Sequence, residues 1–98
     1  MAGNTYDYDS AAVRRAARQV RDCADIIVDN AQPKLRNIRG EVDDTIKGKA
    51  ADALSDRIED IDSDVRSIVN GLKSLSNALT SYAEALERKA RELAEALK

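Results

Sequence analysis

The sequence predicts an all-α fold: an antiparallel helical hairpin of two long helices, expected to pair into a four-helix bundle. Three observations carry this. Apolar residues recur at alternating steps of three and four along two long stretches, which is the spacing of one helix face. The chain is 43% hydrophobic yet has no Phe or Trp and only three Tyr. Its apolar content is therefore Ala, Leu, Ile and Val, which suits amphipathic helices better than a core built on aromatic anchors. Between the two stretches stands Gly48, followed within two residues by the small pair Ala50 and Ala51.

At 98 residues the chain is one domain. Residues 1–9 are expected to form a flexible N-terminus, because the first eight are polar and carry no repeat. Asp9 and Ser10 are N-cap types, so the first helix is placed at 10–44. Val13, Ala17, Val20, Ala24, Ile27, Ala31, Leu35, Ile38 and Val42 line one face of it. Pro33 has no N–H to donate to the carbonyl four residues back, so a kink is expected there within one continuous helix. The turn is placed at 45–48, since Gly48 reaches left-handed backbone at little cost, while Val42 and Ile46 carry the first stripe past Gly40. The second helix, 49–97, carries a heptad seam. One position class is Ile58, Val65, Leu72, Leu79 and Leu86; the other is Leu54, Ile61, Ile68, Leu75 and Tyr82.

Two helices cover one seam, but the apolar surface is wider than that. Cys23, Ile26, Ile27 and Val28 broaden the first face, and Val69 beside Ile68 broadens the second. The expected partner interface is Val20, Cys23, Ile27, Val28, Ile68, Val69, Leu72, Leu75, Leu79 and Tyr82. The lone Cys23 is expected to serve as a small core hydrophobe. Arg14, Arg15, Arg18 and Arg21 form a basic block near the open end of the hairpin, and Asp52, Asp56, Glu59, Asp60, Asp62 and Asp64 an acidic block near its turn. Two hairpins packed with turns at opposite ends would bring these blocks together.

Chemistry is conspicuously missing. There is no His, hence no common general base or transition-metal ligand. Neither a glycine-rich phosphate loop nor a supported nucleophile is present. No catalytic residue, cofactor site or metal site is expected, and the protein is read as a non-enzyme. The net charge of −2 and the aspartates beside the Arg block argue against nucleic acid. No apolar run approaches the ~20 residues of a membrane span, so membrane insertion is not expected.

With the hairpin derived, the segment "IKGKAADAL" resembles the turn of the WXG100 family, small helical hairpins exported by type VII secretion systems. Ile46, Lys47 and Gly48 fall on its Trp-X-Gly positions, with Ile46 in place of the tryptophan. Ala53 and Leu54 fall on the small and bulky apolar positions that follow. The resemblance implies a protein made in the bacterial cytoplasm and secreted without a cleaved signal peptide; the start of the chain has neither a basic nor an apolar signal region. Many family members carry an export signal, an aromatic residue with an acidic one four positions on. Here position 86, four after Tyr82, is Leu, and the nearest acidic residues are Glu84 and Glu87. A missing signal fits the small partner chaperones of LXG-type toxins. The resemblance thus implies, as partner, either the chain itself in a homodimer or a second helical hairpin such as an LXG-type toxin's N-terminal domain. A structural coiled-coil adaptor unrelated to secretion is the alternative that heptads alone would fit.

Overall fold

A computed structural model describes residues 9–98, so the expectation for the first eight lies outside the described residues. Helix α1, Ser10–Ile26, opens on Asp9, whose side chain accepts the Ala12 N–H at 3.2 Å. A π-helical turn, Ile27–Ala31, leads without a break into α2, Gln32–Thr45. After a short turn, α3 runs from Lys49 to Ala96, 48 residues in one helix. At about 1.5 Å per residue it spans roughly 72 Å, which accounts for the 75 × 21 × 16 Å envelope. The chain is a two-helix rod, α1 and α2 lying antiparallel to α3.

The π-turn replaces a simple proline kink. Pro33 leaves the Asp29 carbonyl without its α-helical donor and crowds it with the ring. Just upstream the ladder lengthens by one residue, and the Gln32 N–H donates to the Ile27 carbonyl five positions back. One added residue rotates all that follows by about 100°. Leu35 and Val42 stay half-buried, but Ile38 turns outward to 50% exposure. The same rotation brings Arg39 to α3, where it pairs with Glu59 at 2.7 Å.

The hairpin closes on small side chains. Ala17, Ala24, Ala51, Val69, Ser76 and Ala83 are the buried residues, with Ala24 and Ala83 at 0% exposure. Small residues let the backbones approach until the Ser76 hydroxyl donates to the Ala17 carbonyl across the interface at 2.8 Å. No large side chain is fully buried among the described residues. Each buried methyl contributes only about 0.8 kcal/mol, so the interior of a single hairpin is thin.

The turn is set by Gly48. Its φ of 85° is the only positive φ among the described residues, and with ψ −157° it lies in a region essentially reserved for glycine. Ile46 is extended and its N–H caps the Val42 carbonyl at 3.0 Å. The Ser55 hydroxyl donates to Asp43 across the turn at 2.8 Å. At the other end α3 outruns its partner: residues 88–98 are all exposed.

Candidate partner-binding surface

The two heptad classes of α3 separate in the fold. Ile58, Val65, Leu72, Leu79 and Leu86 are half-buried along the contact with α1 and α2. The other side of that contact is filled by Ser55, Asp62, Val69, Ser76 and Ala83, another row at seven-residue spacing, buried or half-buried throughout. The second apolar class is thereby left outside. Leu54, Ile61, Ile68, Leu75 and Tyr82 are each between 43% and 56% exposed. They form one straight row along most of α3, since a residue recurs on the same side of a slightly supercoiled helix every seven positions.

Helix α1 contributes to the same flank. In an antiparallel pair, rows displaced from the contact in the same rotational sense emerge on the same side. Cys23 is displaced from Val20 and Ile27 as Leu54 and Ile61 are from Ile58, Ile26 lies further round in the same sense, and both are exposed. Cys23 is therefore not the core hydrophobe expected from sequence: Ala24 takes the seam position, and the thiol faces out beside the apolar row.

The residues expected at a partner interface do not share one surface. Cys23, Ile68, Leu75 and Tyr82 lie on the open flank, while Val20, Ile27, Leu72 and Leu79 are half-buried between the helices of the hairpin. Val69, at 5% exposure, is inside the hairpin. Val28 opens on the opposite side, in a shallow groove walled by Arg36, Arg66 and Lys73. That opposite side is polar. Arg66 pairs with Asp62 at 2.9 Å, Arg39 with Glu59, and Arg21 donates to Asn77 at 2.8 Å.

The basic block is likewise largely engaged within its own hairpin. Arg14 forks onto Glu87 through Nε at 2.9 Å and Nη2 at 2.8 Å, a bidentate geometry. Arg15 approaches Asp9 at 3.9 Å. Arg14 is thus paired within its own hairpin, whereas the contacts of Arg15 and Arg21 are exposed. The Arg14 fork, helped by the Ser10 hydroxyl and the charges of Arg14 and Arg91, holds the Glu87 carboxyl down to about 2 against opposing desolvation. Arg14 is in turn raised above its ordinary range by the same bond. Glu87 lies five positions after Tyr82, about 140° around the helix. The tyrosine faces outward while the carboxylate is held against α1.

No helix among the described residues is long and apolar enough to cross a membrane, and none of their His, Cys, Asp and Glu side chains form a metal-holding group. What this structure offers chemically is a long apolar flank on one side of a charged rod. The family model described as "WXG100: Proteins of 100 residues with WXG" matches residues 5–95. The chain belongs to the WXG100 family. Ile46, the residue that follows α2 at the turn, is 37% exposed. WXG100 proteins are small, non-enzymatic helical proteins secreted through type VII systems, and they typically form dimers. No curated protein and no solved structure matches the chain.

Proposed function

We propose that this protein is a non-enzymatic type VII secretion subunit that works by covering its apolar flank with another helical hairpin, completing a four-helix bundle. The observation that carries the reading is the exposed row Leu54, Ile61, Ile68, Leu75 and Tyr82 beside a hairpin whose own interior is almost all alanine-sized. Apolar surface this continuous is favourable to bury and costly to leave in water. The covering hairpin is either a second copy of the chain or the N-terminal helical domain of an LXG-type toxin, for which this protein would serve as targeting chaperone. In the chaperone case the assembled pair supplies the export signal. Tyr82 then acts as an interface residue, since its exposed ring belongs to the apolar row and position 86 holds Leu. The chain is made in the bacterial cytoplasm and leaves the cell through the type VII route.

The test is solution mass, alone and after co-expression with the neighbouring gene product, for the parent chain and for Ile68→Asp. The parent is expected at the mass of a two-hairpin complex in at least one of the two preparations, and Ile68→Asp is expected to lose it. An Ile68→Asp chain that keeps every assembly of the parent overturns the proposal.

A further inference from the structure

The side of the hairpin opposite the apolar row holds a groove between α3 and the π-turn, about 380 Å³ in volume. One water takes up about 30 Å³, so the groove admits a stretch of chain rather than a single ion. Val28 and the buried Val69 give it apolar surface, and Gln32 and Asn70 bring carboxamides to it. Its charged residues are Arg36, Arg66 and Lys73, against Asp62 alone. Cations are therefore in surplus here, on a chain whose net charge is −2. Arg66 pairs with Asp62, yet its side chain stays 69% exposed. Arg36 and Lys73 are exposed and have no ion-pair partner among the described residues.

The cations follow the groove instead of converging on one point. Arg39 faces Glu59 and Arg21 faces Asn77 on this side, so Arg36 stands about level with Asp62. Arg66 then lies roughly 6 Å further along α3, and Lys73 roughly 16 Å. The longer span is about five residues of extended polypeptide.

The backbone here also lacks a donor. The Gln32 N–H goes to Ile27 rather than Val28, and Pro33 has no N–H to continue the π-ladder. The carbonyl of Val28, a residue that lines the groove, is left without a helical partner. An extended peptide carries both complements, carboxylates for the cations and free N–H groups for the carbonyl. A helix has used its N–H groups internally beyond the first turn, and a nucleic-acid backbone has none. The exposed Asp25 and Asp29 next to Val28 repel a phosphate chain, which is charged at every nucleotide. A peptide can set neutral residues against them.

We propose that this groove docks an extended acidic segment of a partner protein. Its carboxylates would meet Arg36, Arg66 and Lys73, and one of its backbone N–H groups the Val28 carbonyl. The inference is separate from the pairing function proposed above, because covering the apolar flank leaves this side open.

The experiment titrates the full chain into a fluorescein-labelled peptide of about eight glutamates at low salt and reads the anisotropy. The parent should bind saturably. Arg36→Gln/Lys73→Gln removes two exposed cations and should weaken binding roughly 5- to 30-fold. Arg57→Gln/Lys89→Gln has the same net charge and should change it by no more than about 2-fold. A backbone N-methylated form of the peptide keeps its charge without N–H groups, and should bind roughly 2- to 10-fold more weakly. Ile68→Asp should bind the peptide as the parent does. No saturable binding by the parent up to millimolar peptide, or equal losses in the two double variants, overturns the inference. So does an N-methylated peptide that binds equally well, or a loss of binding in Ile68→Asp. A single-stranded oligonucleotide of the same length that binds more tightly through Arg36 and Lys73 overturns it as well. None of these results bears on the two-hairpin mass, by which the pairing function stands or falls.

Discussion

At Gly48 the backbone combines φ 85° with ψ −157°, and a Cβ placed there would touch nothing within 4 Å. The cost of a side chain at this position is therefore torsional, with no steric share. Placing L-alanine in this region costs about 1–3 kcal/mol. The mirror-image conformation is ordinary extended backbone, so D-alanine should fit without strain. By restricting the unfolded chain, it should stabilise the hairpin by about 0.4–1 kcal/mol. A chain of 98 residues is accessible to chemical ligation, so both stereoisomers can be made. Urea unfolding followed by helical circular dichroism, at one fixed protein concentration, reads the difference. With a slope of about 2 kcal/mol per molar, Gly48→Ala should lower the midpoint by roughly 0.5–1.5 M and the D-isomer should raise it slightly. Gly40→Ala, helical and open, serves as control and should raise it. Equal midpoints for the two stereoisomers at position 48 would refute the assignment of the reversal to this one torsion.

Three further outcomes are expected. Because Glu87 is held at about 2 against an ordinary 4.5, the unfolded chain binds more protons in that interval and the contribution grows with pH. The stability margin of the parent over Glu87→Gln should be full above pH 4.5 and vanish as pH falls towards 2, read from thermal midpoints across that range. Ala83→Leu should cost about 1–3 kcal/mol by overfilling the fully buried contact, whereas Ala78→Leu should change the dilute monomer by no more than about 0.5 kcal/mol; a comparable loss for both would mean that the seam is misassigned. Pro33→Ala should return the π-turn to α-helix and swing Arg39 away from Glu59. The Arg39–Glu59 coupling of about 0.2–1 kcal/mol in a double-mutant cycle should then fall to zero, and an unchanged value would dissociate Pro33 from the rotation.

The hairpin was legible because its signals are local and redundant: stepwise apolar spacing, a capping Asp9, and one glycine where reversal is needed. The orientation of the seam was not. Hydropathy gives its weight to Leu and Ile, and so reads the rows of Ile58 and Leu54 as equal partners. Backbone approach is governed by the smallest residues, and the row of Ser55, Val69, Ser76 and Ala83 draws α1 to its side. That tilt left the row of Leu54 outside and moved Val69 inward. Cys23 was misjudged for the same reason, since neighbouring Ala24 fits the close contact. The signal was available in the seven-residue recurrence of small residues. Ile38 depended on a rotation contributed by the π-turn, and a proline announces disturbance without fixing its form. The Arg14–Glu87 fork joins residues 73 positions apart and has no local signature.

The overhang of residues 88–98 has a dynamic consequence. Among the described residues no second helix lies alongside this end of α3, which is held by its own ladder and by short-range pairs such as Lys98 with Glu95 at 3.3 Å, and a helix of so few residues is marginal by itself. Its amides should exchange with solvent through fraying from the tip, independently of hairpin opening. Leu93 and Leu97 can thus unwind, extend or dock elsewhere while the clasp at Arg14 and Glu87 stays shut.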